Sequence, residues 1–179
     1  MPPVESYLSI SVLAKTRPQL ALELLKSIRE RGGEVEDCRI VPIGDRLAAT
    51  LLVSGNWSAL GRLETALPGI AQKLDLQVQF TRCNTREQNS GFRPYAAEVI
   101  APQQQDLIVQ LVEFFQGQDV EVAEIATQKY QSSYTGANMC SIQFVLHVPV
   151  SHHPQHLRDA FLDLCDDLNA DGMLDPIKT

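Results

Sequence analysis

The side chains best suited to metal or acid–base chemistry are the histidines near the end of the chain. His152, His153 and His156 lie close together, with His147 upstream. His152 and His156 stand at i and i+4, a spacing that places two imidazoles on one helix face. However, Pro154 falls between them, and proline is favoured in a helix's first turn, so His152 is expected outside the helix. No acidic or cysteine partner stands beside them at ligand spacing. A solvated helix start is therefore the preferred reading, and no metal site is assigned. Cysteine with histidine can act as nucleophile and base, but no nucleophile elbow or oxyanion signature accompanies these residues. The sequence gives no catalytic residue and no cofactor. Asp159, Asp163, Asp166, Asp167 and Asp171 make the last helix and its exit acidic. Such a run is read as a solvated face, with a basic protein partner as the alternative. Trp57 follows Asn56, a candidate helix cap, and is expected to be a packing anchor.

Composition narrows the partners. The formal net charge of −7 over 179 residues argues against direct nucleic-acid binding, which depends on clustered lysine and arginine. No apolar run approaches the length of a membrane span, and no signal peptide precedes the first strand, so a cytoplasmic protein is expected. Cys38, Cys83, Cys140 and Cys165 are far apart, with no CxxC spacing. They read as small buried hydrophobes in a reducing compartment.

The elements repeat. The stretch Leu8–Asp37 reads as strand, loop, helix, glycine stop and strand, and the same order returns 87 positions later (121 minus 34) without a gap. Val12-Leu13-Ala14 falls on Val99-Ile100-Ala101, Leu20 and Leu24 on Leu107 and Leu111, Ile28 on Phe115, and Glu34-Val35 on Glu121-Val122. In the first unit the alternation of Ser6–Leu13 predicts a half-buried strand. A helix follows Pro18, with Leu20, Leu24 and Ile28 inward, and ends at Gly32-Gly33. Glu34–Ile43 and Arg46–Ser54 form a hairpin around Gly44-Asp45. A second helix carries Leu60, Leu63, Leu67, Ile70 and Leu74, with Pro68-Gly69 expected to kink or break it. Asp75–Arg82 is the fourth strand. The second unit repeats this with strands at Tyr95–Ala101, Val120–Tyr130 and Met139–Val148, and helices at Asp106–Gln116 and Pro154–Leu168. Leu157, Phe161, Leu164 and Leu168 face inward, and a short strand near Leu174–Lys178 closes the unit. The expected fold class is α+β, two tandem ferredoxin-like βαββαβ units. They occupy residues 1–83 and 94–179, joined by a polar linker at 84–93. Each sheet has one face without helices, to be covered by the other unit or a second chain.

Two such units in tandem resemble ACT domains, small regulatory modules that bind amino acids. Gly33-Glu34-Val35-Glu36-Asp37-Cys38-Arg39-Ile40 resembles that family's Gly-x-Asn-Ile-x-Asp-Ser-Arg strand. Leu52-Val53-Ser54-Gly55-Asn56-Trp57 resembles the segment entering its second helix, and Phe161-Leu162-Asp163-Leu164-Cys165 its last helix. Together these resemble the glycine cleavage system transcriptional repressor group, over nearly the whole chain. The resemblance implies a non-enzymatic regulator that contacts a transcriptional regulator protein, does not bind DNA directly, and is modulated by an amino acid such as glycine. A homo-oligomer, with a homodimer expected, goes with the open sheet faces that something must cover. A ligand-free ACT-type interaction module and a small enzyme on the same fold are the alternatives.

In ACT domains the small molecule sits near the loop between the first strand and first helix, where the family reads Gly-x-Asp-Arg-Pro-Gly. A helix start presents unpaired N–H groups and a positive dipole end to a carboxylate. The aligned residues here are Ala14, Lys15, Thr16, Arg17, Pro18 and Gln19, which keep the arginine and proline and lose both glycines and the aspartate. The second unit departs further, to Ala101-Pro102-Gln103-Gln104-Gln105-Asp106. The candidate amino-acid site adds Glu34, Val35 and Asp37. Lys15 or Arg17 would pair with the ligand carboxylate and Glu34 or Asp37 with its ammonium. This supposes that the fold brings the two groups together; the alternative is a set of solvated loop charges.

Overall fold

The computed structural model describes residues 6–85 and 90–178. The lead-in Met1–Glu5 and the middle of the expected linker, 86–89, lie outside the described residues. The chain divides into two compact units, Met1–Glu87 and Gln88–Thr179.

The first unit runs β1 (Ser6–Lys15), α1 (Leu20–Arg29), β2 (Glu34–Ile43), β3 (Arg46–Gly55), α2 (Trp57–Leu74) and β4 (Leu76–Cys83). The second repeats the order as β5 (Phe92–Pro102), α3 (Leu107–Gly117), β6 (Glu121–Gln131), β7 (Asn138–Pro149), α4 (Pro154–Asp167) and β8 (Asp171–Pro176). Each builds a four-stranded antiparallel sheet, β2-β3-β1-β4 and β6-β7-β5-β8. These are two tandem ferredoxin-like units, as the periodicity predicts.

Alternation decides which face of each sheet is buried. In β1, Leu8, Ile10, Val12 and Ala14 are buried, and the first three pack in one core with Leu24 and Ile28 of α1 and Leu60, Leu63, Leu67 and Ile70 of α2. At about 1.5–3 kcal/mol for each large side chain taken out of water, this stripe is the main term holding the unit together. The second core is richer in rings: Phe115 stacks on Phe161 at 5.6 Å and meets Phe144 edge-on at 5.3 Å. Both edge strands carry a bulge at the same relative place, between Val35 and Asp37 in β2 and between Val122 and Glu124 in β6. A bulge shifts the alternation by one residue, so Cys38 and Ile40 face the helices with Val35.

The local signals hold in most places. Gly32 takes φ 80 at the end of α1, Gly44 turns the hairpin at φ 59, and the Asn56 side chain accepts the Ala59 N–H at 2.8 Å. Other expectations need correction. Pro68 does not break α2, which continues from Trp57 to Leu74. Pro68 is exposed, and burial of Leu67 and Ile70 on either side offsets its lost hydrogen bond. In α4, Cys165 is the fully buried residue where Leu164 was expected, and Leu164 is only partly buried. The ladder also reaches further than composition suggests. Phe92 and Arg93, expected in the linker, pair with Pro149 and Val148, and β8 starts at Asp171 rather than Leu174. Gly172 permits that earlier start: a Cβ there would stand 2.4 Å from Cys165 Sγ.

Candidate functional site

The loop between β1 and α1 is built by a strand that ends in a buried residue and a helix that starts without a cap. Ala14 is buried, and Lys15, the last residue of β1, lies opposite Arg46. Thr16 donates its N–H to the Asp45 carbonyl at 3.2 Å, which ties the loop to the β2–β3 turn. Pro18 stands in the turn before the helix rather than in its first turn. Gln19 takes the left-handed conformation at φ 66, and its carbonyl accepts the Glu23 N–H at 2.9 Å. No side chain caps α1 at this position. Helix-start N–H groups of this kind favour an anion.

Arg17, the cation kept from the family pattern, already has a partner. Its Nη2 donates to Glu23 Oε2 at 2.6 Å, and both side chains are partly exposed. This hydrogen bond holds the Glu23 carboxyl below the usual carboxylate range. A ligand carboxylate would have to compete with Glu23 for the guanidinium.

The other half of the predicted site lies elsewhere. Glu34 pairs with Ser54, Val35 with Val53 and Asp37 with Leu52, whereas Lys15 pairs with Arg46. Along β3, Leu52 and Arg46 are six residues apart and Ser54 and Arg46 eight. At about 3.3 Å per residue these are gaps of roughly 20 and 26 Å. Within one unit, therefore, Glu34, Val35 and Asp37 do not meet Lys15 and Arg17. The reason is topological. Both β1 and β2 run antiparallel to β3, so they run parallel to each other, and α1 returns the chain to the far end of the sheet before β2 begins. Asp37 is also engaged locally, accepting from Cys38 N–H at 2.8 Å and from Arg39 Nη1. The residues that do border the loop are Gly44, Asp45 and Arg46. Sequence reading missed them, although the β-α-β crossover was the signal that places the β2–β3 turn there.

In the second unit the corresponding loop is tied to the start of β7 and the end of α4. Gln103 N–H donates to the Asn138 carbonyl at 2.9 Å, and Gln104 Nε2 reaches the Leu168 carbonyl at 3.0 Å. Asp106 repeats the left-handed turn at φ 59, and the loop carries no cation.

The remaining chemistry-bearing residues are placed as follows. His153 and His156 stack at 4.6 Å, while His147 Nδ1 lies 3.4 Å from Glu121 Oε2. Among the described residues no three His, Cys, Asp or Glu side chains cluster in a way that would hold a metal ion. All four cysteines are free; Cys140 and Cys165 are buried, and Cys38 and Cys83 are half-buried. Burial, with Asp166 nearby, pushes the Cys165 thiol up to about 11. Trp57 corrects an expectation: it is 74% exposed and is not a packing anchor. Instead the Arg82 guanidinium lies over its ring at 4.6 Å, and Arg82 also makes a two-pronged bond to Glu64 at 2.7 and 2.8 Å. Among the described residues no helix is long and apolar enough to cross a membrane.

Comparison with known proteins gives a consistent picture. The ACT domain model matches residues 6–81. The glycine cleavage system transcriptional repressor of Escherichia coli (strain K12) is 25% identical over 174 residues, covering 97% of this chain and 92% of that protein. The repressor of Shigella flexneri matches to the same extent. Among solved structures, a candidate glycine cleavage system transcriptional repressor superposes with a TM-score of 0.72 at 24% identity, covering 98% of this chain and 99% of that one. A protein of unknown function from Galdieria sulphuraria superposes with a TM-score of 0.76 at 17% identity, covering 97% and 99%. These two superpositions support the fold.

Proposed function

We infer that this tandem ACT-domain protein, which resembles the glycine cleavage system transcriptional repressor, is a regulator and not an enzyme. It works in the cytoplasm by contacting a transcriptional regulator protein. The observation that carries this reading is the extent of the likeness: the repressor match spans 97% of this chain and 92% of that protein. The acidic charge of −7 is in keeping with action through protein contact rather than on DNA.

An amino acid such as glycine is the proposed effector, and the first unit's loop the proposed site. Lys15, Arg17 and the uncapped start of α1 receive its carboxylate. Glu34, Val35 and Asp37 of the same unit are too far away to take the ammonium, which leaves Glu23, bound to Arg17, and Asp45, whose backbone carbonyl is tied to Thr16, as the carboxylates bordering the loop. A second reading, an ACT-type module that binds partners without a ligand, is favoured by two observations. Arg17 is occupied by Glu23, and the second unit's loop has no cation.

Thermal unfolding against the twenty amino acids at millimolar concentration separates the two. A ligand at about a hundred times its dissociation constant adds about 2.7 kcal/mol to stability. A selective rise with one amino acid, lost in Arg17→Ala, supports the sensor. A flat panel supports the ligand-free module.

A further inference from the structure

The helix-free face of the second unit's sheet is a shallow lane with acidic sides. Strand register sets its rows from β6 across β7 and β5 to β8. One row is Glu124, Val145, Ala96 and Asp175, the next Ala126, Gln143, Glu98 and Met173, and the third Gln128, Ser141, Ile100 and Asp171. Small side chains keep the middle low: Ala96, Ala126 and Val145 line a depression of about 340 Å³, and both alanines are exposed. Met173 stands beside it, 59% exposed. Carboxylates hold both sides, Glu121 and Glu124 on β6, and Asp171 and Asp175 on β8. Glu98 lies on the floor, where Gln143 Nε2 donates to it at 3.5 Å. Arg158 reaches Asp175 at 3.4 Å from α4, and His147 pairs with Glu121. Among the described residues no lysine or arginine of the four strands shares this face.

Spacing selects the occupant. Glu124 and Asp175 are three strand intervals apart, roughly 14 Å at about 4.8 Å each. An α-helix with its side chains is about 10–12 Å across. Laid along the strands, it places one apolar stripe on the floor, and lysines or arginines on either flank reach the carboxylates over their long stems. We propose that this lane is the docking surface for a basic amphipathic helix of the transcriptional regulator that the protein contacts. The nature of the partner rests on the function inferred above, whereas the lane's shape and charge do not. A protein that binds DNA carries clustered lysine and arginine, the charge that this face complements. Apolar burial on Ala96, Ala126, Val145 and Met173 supplies affinity, and the flanking carboxylates fix register and speed encounter.

Fluorescence anisotropy on the full chain tests this with a labelled synthetic helix of about 18 residues, long enough to span the lane, whose leucine stripe is flanked on both sides by lysine. The expected result is saturable binding that weakens as salt is raised. Glu124→Lys with Asp171→Lys weakens it at least tenfold. Ala126→Trp, which fills the floor from an exposed edge-strand position without changing charge, does the same. Asp159→Lys with Asp163→Lys, on the exposed side of α4, leaves it within twofold. Circular dichroism melting verifies that each variant is folded. No binding, an equal loss from the α4 reversal, or indifference to Ala126→Trp would each overturn the proposal. So would a second copy seated on the lane, seen as a sedimenting dimer that Ala126→Trp dissociates. Because the probe is synthetic, these failures leave contact with a regulator through another surface standing, and the expected result supports the lane whatever becomes of that functional reading.

Discussion

Replacing Gly172 by alanine tests the packing beneath the acidic sheet face, because β8 reaches α4 only through the missing side chain. The added Cβ would stand 2.4 Å from Cys165 Sγ, 3.2 Å from Cys165 Cβ and 3.0 Å from Phe161 Cε1. Ordinary contacts lie at about 3.5–4.0 Å, so strand and helix must separate by roughly 1 Å. Neither neighbour can yield easily: Cys165 is 1% exposed, and Phe161 is fully buried and stacked on Phe115. Overpacking of this kind costs about 1–3 kcal/mol. For a unit of this size each kcal/mol lowers the midpoint by about 4–8 °C, so a cost of about 2 kcal/mol predicts a fall of roughly 8–16 °C. Calorimetry on the full chain reads this in the transition of the second unit. Cys165→Ala removes the nearest atom, and in the double variant the loss from Gly172→Ala should shrink by about 1 kcal/mol. An unchanged midpoint in Gly172→Ala, or a loss undiminished in the double variant, would refute the stated packing of β8 on α4.

Further expectations concern the ligand loop, the cysteines and Trp57. Arg17→Ala should weaken amino-acid binding at least tenfold by titration calorimetry, whereas Glu23→Gln, which releases the guanidinium, should tighten it by a few-fold. If both variants weaken binding equally, Glu23 is part of the site rather than a competitor. With a raised thiol pKa, Cys165 favours the folded state below the unfolded value of 9.0, and this contribution is lost as pH rises through about 11. Stability should therefore decline across that window, and less so in Cys165→Ala. In native protein at pH 8, a thiol reagent should label half-buried Cys38 and Cys83 well before buried Cys140 and Cys165. Trp57→Ala should cost about 0.5–1 kcal/mol in denaturant unfolding, the scale of an exposed cation–π contact, rather than the roughly 3–5 kcal/mol of a core aromatic.

The fold was legible because helix and strand periods are written cleanly in both units. Leu20, Leu24 and Ile28 fall on one helical stripe, Leu8, Ile10 and Val12 alternate, and glycines stand where the chain turns. Details set by close contact were less visible. Nothing in the residue types shows that Phe92 and Arg93 extend a ladder, or that Trp57 lies outside the core. The candidate site was half legible. Composition marked the loop cations, but joining Glu34 and Asp37 to them ignored the direction of β2. Which end of a sheet a loop occupies depends on the crossover, and residue chemistry alone does not report it.

Those bulges also mark what the internal repeat keeps. Val35 and Asp37 correspond to Val122 and Glu124 at the repeat offset of 87 positions (122 minus 35). The left-handed residues Gln19 and Gly32 correspond in the same way to Asp106 and Asp119. Four of these eight residues belong to the edge strands β2 and β6, and neither left-handed position keeps its amino acid. At these positions the two units share backbone conformation throughout, and side-chain chemistry only at the bulge, where valine is kept and a carboxylate follows it.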